Sequence, residues 1–170
     1  MSKIMTVLRV ARLVAVVGVA LGLAACAKPG ANGGADLSIT GGASTPGSGQ
    51  DFVVNVGDRV FFLTDSSEFT PQAVATLGRQ VQWLQQYPQY TFVIEGHADE
   101  RGTREYNIAL GARRASAVQS YFVARGIGAN RMRTISYGKE RPVAVCDDIS
   151  CWSQNRRAQT ILNSGAMAAR

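Results

Sequence analysis

Histidine occurs once in this 170-residue sequence, as His97, and cysteine three times, as Cys26, Cys146 and Cys151. That scarcity removes several kinds of chemistry. A structural zinc site takes four nitrogen or sulfur ligands, and His97 lies far along the chain from Cys146 and Cys151, so neither a metal nor a cofactor is expected. Nucleophilic catalysis needs a nucleophile beside a base that a further group orients. No Ser–His or Cys–His arrangement of that kind can be defended here, and His97 with Asp99 lacks the third member, so no enzyme is expected. Glu95 and His97 alternate with Gly96 and share one strand face; His97 reads as a structural, hydrogen-bonded side chain. Basic runs are also missing. The net charge of +6, from 18 basic and 12 acidic residues, is dispersed, which leaves nucleic acid no footprint. The apolar run from Leu13 to Ala25 falls short of the ~20 residues that span a bilayer as a helix.

That run is informative in another way. Lys3, Arg9 and Arg12 precede it, and small residues end it at Leu23-Ala24-Ala25-Cys26. A basic start, an apolar middle and a small-residue cut describe an export signal over residues 1–25. A Cys directly after Leu-Ala-Ala resembles the bacterial lipobox, which implies cleavage before Cys26 and acylation of that residue. Acyl chains contribute about 0.8 kcal/mol per buried CH2, and two or more give lasting anchorage. Ala27 follows instead of Asp. By resemblance to Gram-negative lipoproteins, that omits the inner-membrane retention signal and implies outer-membrane lipid as the anchor's partner. Processing would remove three basic residues and no acidic ones, taking +6 to +3. It would also leave Cys146 and Cys151 as an even pair in an oxidising compartment. A disulfide there, worth ~2 kcal/mol by loop entropy, is favoured over free thiols.

Residues 26–50 hold Gly, Ala, Ser, Thr, Pro and Asn with almost no large apolar group. They cannot bury enough surface to fold and should form a flexible linker with a root-mean-square span of about 27 Å. The folded domain is expected over 51–163, with 164–170 a frayed end. A first strand at Val60–Leu63 precedes a helix started by Thr70-Pro71. Val74, Leu77, Val81 and Leu84 follow helical spacing up to Tyr87-Pro88. Tyr90–His97 reads as a buried strand and Thr103–Arg125 as a second helix, with Thr103 as its cap. Gly126 and Gly128 close that helix. Strands at Arg131–Tyr137 and Ala158–Leu162 follow, separated by the Cys146/Cys151 loop. Such alternation makes βαβ units and a sheet with helices on one face.

The ionisable groups concentrate between the second strand and second helix, at Gly96-His-Ala-Asp-Glu-Arg-Gly102. Within the helix, Asn107, Leu110 and Arg114 recur at offsets of three and seven and so share a face at about 100° per residue, which Arg113 does not. A charged turn before an Arg-bearing helix is commonly a solvated surface with an ion pair worth ~0–1 kcal/mol. It also suits a zwitterionic amino-acid head, carboxylate on guanidinium and ammonium on carboxylate.

From about Val56 to Leu162 the chain resembles the OmpA-like peptidoglycan-binding domain family, whose motif matches the Gly96–Ala117 stretch. The resemblance implies an α+β fold, a βαβαβ(β) sandwich with a mixed sheet and helices packed on one face, that holds the diaminopimelate of peptidoglycan stem peptides through Asp99 and Arg114. It adds Asp65 in the loop after the first strand, and matches Arg101, Asn107 and Leu110 around them. Arg114 lies ~16 Å along an ideal helix from its start, so its proximity to Asp99 is likewise implied by the resemblance. Ser136–Glu140 and Asn155–Ala158 match lipid-anchored members over β-barrel ones, and for these TolB and the Tol complex are the implied partners. Two departures stand out. Phe62-Leu-Thr-Asp65 lacks the second aromatic that many relatives place before the Asp, and the Cys146/Cys151 loop is not general to the family.

Overall fold

Both long helices begin on a threonine. Thr70 Oγ1 accepts from the Ala73 N–H and Thr103 Oγ1 from the Tyr106 N–H, each satisfying a donor that a first helical turn otherwise leaves free. A computed structural model describes residues 44–163. The expected export signal, Cys26, most of the linker and the 164–170 end lie outside the described residues. The elements are α1 (Gly49–Asp51), a π-helical turn at Phe52–Gly57, β1 (Arg59–Phe61), α2 (Pro71–Gln86) and β2 (Thr91–His97). Then come α3 (Arg104–Val123), a 3-10 turn at Ala129–Arg131, β3 (Met132–Gly138), α4 (Ile149–Asn155) and β4 (Arg157–Asn163).

The sheet runs β1-β4-β2-β3. β2 and β3 are parallel, as a crossover through α3 requires, while β4 is antiparallel to both neighbours and inserts between β1 and β2. Phe92 and Ile94 of β2 share one buried cluster with Leu77 and Leu84 of α2 and with Val118 and Phe122 of α3. Both long helices therefore cover the same face. At the end of β2, Gly96 lies against Gly111 of α3, and a Cβ on either would overlap the other's backbone. Only glycine allows that approach, which seats the first turns of α3 directly over the strand end.

Two differences from the sequence reading stand out. Ser44 to Gln50, expected as linker, pack on the domain. Ser48 Oγ accepts from the Asp51 N–H, the Tyr90 hydroxyl donates to Gly47 O at 2.8 Å, and Asp51 Oδ2 accepts from Trp83 Nε1 at 2.9 Å. The Tyr90 hydroxyl bond, the Asn55 amide on Ser44 and close packing of Gly47 on the Tyr87 ring hold this segment, with Asp51 fixed by Trp83 at its end, and composition does not register them. The Cys146/Cys151 loop also contains a helix, α4, capped by Asp148 and tied by a Cys146–Cys151 disulfide with Cα atoms 5.6 Å apart.

Candidate functional site

The C-terminal end of β2, the loop after β1 and the first three turns of α3 enclose a cavity of about 240 Å3. Thr64, Asp65, Asp99, Arg101, Gly102, Tyr106, Asn107, Leu110 and Arg114 line it. All six residues singled out beforehand (Asp65, Asp99, Arg101, Asn107, Leu110, Arg114) are thus brought to one place. The ~16 Å of helix between Thr103 and Arg114 is offset because the β1–α2 loop folds back over α3.

Arg114 explains why it does. Its side chain is fully buried and donates to three backbone carbonyls, Nε to Ser66 O at 2.9 Å, Nη1 to His97 O at 2.7 Å and Nη2 to Leu63 O at 3.1 Å. Phe62 lies against the guanidinium, 5.1 Å from ring centre to Cζ. Burial pushes its pKa down to about 10, opposed by the charges of Asp99 and Asp65. It remains a cation at neutral pH. The guanidinium fork expected to face a ligand is therefore largely committed to holding the cavity together.

Asp99 is likewise not free. Arg101 Nη2 lies 2.6 Å from its Oδ2 and Arg101 Nε 3.3 Å from its Oδ1, while the Arg101 N–H reaches Oδ1 at 3.2 Å. From the interior, Arg156 Nη1 reaches Oδ2 at 3.2 Å and its Nε donates to Phe62 O. Burial pushes the Asp99 carboxyl up, and these bonds outweigh it, holding the group below the usual carboxylate range. Asp65 adopts φ 54°, a left-handed conformation that Asp tolerates better than most residues, and accepts from the Tyr106 hydroxyl. Asn107 Nδ2 donates to Arg101 O at 2.8 Å and so fixes the turn. Arg113 points away, over the Tyr106 ring.

The scan of family models matches the OmpA family over residues 61–161. The chain belongs to the OmpA family. A peptidoglycan-associated lipoprotein of Rhizobium meliloti (strain 1021) is 63% identical over 163 residues, covering 95% of this chain and 92% of that protein. One of Pseudomonas aeruginosa is 45% identical over 134 residues, covering 76% and 79%. Among solved structures, the crystal structure of the peptidoglycan-associated lipoprotein from Burkholderia pseudomallei superposes with a TM-score of 0.64 at 38% identity, covering 68% of this chain and all of that one.

Sequence reasoning passed over two residues that hold the cavity's carboxylates in place. Arg156 belongs to a stretch noted only as a family match, and its contact with Asp99 spans 57 positions. Tyr106 sits one position before Asn107, yet reaches Asp65. Neither pairing has a local sequence signal, since each depends on how loops from different elements meet.

His97 differs from expectation. Its ring is buried and stacked on Tyr137, but neither ring nitrogen has a hydrogen-bond partner, and Nε2 lies 3.5 Å from Glu95 Oε2. Burial first, then the charges of Arg157 and Arg141, push its pKa down to about 3. The ring is neutral and packs on the helix-free face of the sheet. Its backbone carbonyl, not its imidazole, serves the cavity.

Proposed function

We propose that this chain is an outer-membrane lipoprotein, acylated at Cys26, that grips peptidoglycan noncovalently through the diaminopimelate of its stem peptides. The observation that carries the reading is the charge arrangement of one small cavity. Two carboxylates, Asp65 and Asp99, and the guanidinium groups of Arg101 and Arg114 share its lining, with Arg156 behind Asp99. A zwitterionic head presents both signs of charge within a few ångströms, so it can satisfy both kinds of wall at once. Asp99 is assigned to the ligand's ammonium. Arg101, half-exposed at 42%, is assigned to its carboxylate with Arg114 charge behind it, while Asn107 and Leu110 shape the floor. The similar proteins, peptidoglycan-associated lipoproteins by name, support the same reading. TolB and the Tol complex are the proposed protein partners, and the role is to tie outer membrane to wall without catalysis.

The test is co-sedimentation of the purified full chain with sacculi of the diaminopimelate type and of the lysine type. Lysine lacks the side-chain carboxylate. Wild-type protein should pellet with diaminopimelate walls only, and Asp99→Asn and Arg101→Ala, checked for folding by circular dichroism, should not pellet. Equal pelleting with both walls would overturn the assignment. Crosslinking with TolB should give an adduct, and no soluble muropeptide should be released.

A further inference from the structure

The helix α4, which begins inside the disulfide-closed loop, touches the residues around the site twice. At its C-terminal end it delivers Arg156 to the inner side of Asp99. One turn earlier it carries Trp152, whose ring lies 4.3 Å from the Arg101 Cζ and whose Nε1–H donates to Glu100 Oε1 at 2.9 Å. Cys151, immediately before it, is buried and bonded to Cys146. We propose that Trp152 is a positioning residue, which holds the Arg101 guanidinium over Asp99 from outside the cavity lining.

The reasoning starts from Arg101 itself. A half-exposed arginine ordinarily samples many rotamers, and a carboxylate alone holds one weakly at a surface. Here the head is bounded by Asp99 on one side, the Thr64 hydroxyl at 3.5 Å on another and the indole face on a third. An aromatic face attracts the cation while taking none of its N–H groups, so those donors stay available for Asp99 and for an incoming carboxylate. The turn backbone is tied in the same place, because Lys139 Nζ donates to the carbonyls of Glu100 and Gly102 at 3.1 and 2.7 Å. Trp152 is thus anchored to the turn at Glu100 and acts on the neighbouring residue. Loss of the ring would free Arg101 to swing into solvent and leave Asp99 to bind amines without discriminating for the carboxylate.

This inference rests on the proposed wall-binding reading for its consequence, but its mechanism can be read separately. The purified full chain is compared with Trp152→Ala, Trp152→Phe and the double variant Cys146→Ser/Cys151→Ser. One readout is pelleting with diaminopimelate sacculi; the other is the order of the Arg101 side-chain Nε–H by 1H–15N NMR. Trp152→Ala should lose the ordered Nε–H signal and bind about fivefold more weakly, the upper end for a cation–π contact at an exposed site. Trp152→Phe keeps an aromatic face and should restore both to within about twofold. The double variant should fall between. An Arg101 signal as ordered in Trp152→Ala as in wild type, or no rescue by phenylalanine, would overturn the proposal. If wild type fails to pellet with any wall while Arg101 order still follows Trp152, the wall-binding reading falls and the positioning role stands.

Discussion

Two arginines tie backbone carbonyls together at opposite ends of the sheet, and they differ in company. Arg114, at the cavity end, donates to Leu63, Ser66 and His97. Arg131, at the other end, donates to Leu84, Tyr87 and Tyr90 at 3.0, 3.1 and 3.0 Å. Each closes a place where chain segments converge without regular pairing, using the planar fork that lysine lacks. Burial lowers the pKa of both, but only Arg114 also feels carboxylates, Asp99 and Asp65. Among the described residues, no ion pair joins Arg131 to an acid. The backbone clamp is thus common scaffolding. What distinguishes the functional end is the charge placed there beyond what the clamp uses.

Replacement of each arginine by lysine tests that comparison. Arg114→Lys leaves at least one buried carbonyl without a donor and cannot reproduce the fork, so it should lose about 3–5 kcal/mol of stability in urea unfolding. A loss as small as that of an exposed substitution would break the idea that Arg114 is structural as well as electrostatic. His97, whose carbonyl Arg114 holds, gives a second handle. Its folded pKa is about 3 against an ordinary 6.5. Between those values the unfolded chain binds a proton that the folded chain refuses, so stability falls as pH drops below about 6.5. Glu95, whose pKa burial raises against the charges of Arg141 and Arg157, acts in the opposite sense. The comparison is therefore with His97→Gln, which should flatten the fall by roughly 2 kcal/mol between pH 7 and pH 5. The smallest effect belongs to the other clamp. Arg131→Lys, in a half-buried site that water can reach, should lose about 1–2 kcal/mol and leave pelleting with diaminopimelate sacculi unchanged. Altered pelleting there would mean that the two ends are coupled through the sheet.

Elements with a local physical cause were legible in the chain. Thr70-Pro71 and Thr103 marked both long helices because a cap is a contact over three residues. The apolar run before His97 marked β2 for the same reason. The insertion of β4 between β1 and β2 was not legible, since Gln159 pairs with Arg59 across a hundred positions. The docked Ser44–Gln50 segment was read as linker because its contacts go to Tyr90 and Tyr87, residues forty positions on that were read as strand or helix end. At the cavity, the face shared by Asn107, Leu110 and Arg114 followed from helical periodicity. That Arg114 would be occupied by carbonyls and Asp99 by Arg156 did not, because the donors and acceptors lie 17 to 57 positions apart and on different elements.

The docked segment has a mechanical consequence. It leaves the domain beside Trp83 and Tyr90, at the start of β2, whereas the cavity opens past the end of β2, about 23 Å away at ~3.3 Å per residue. Tension between a gripped cavity and the chain leaving at Ser44 therefore runs along β2. Strands β3 and β4 flank it on both sides, so their ladders bear that load together in shear. Ser44–Asp51 bears it end-on, through the Tyr90 hydroxyl and the Trp83 indole, and would peel contact by contact. Its release frees roughly 25 Å of contour at ~3.3 Å per residue, less the short folded span between Ser44 and Asp51, which the Asn55 amide bridges, while the sheet stays whole. Single-molecule pulling should show that short first extension, at lower force in Tyr90→Phe. A load applied between the cavity and Ser44 would then draw length from this segment before it breaks the sheet.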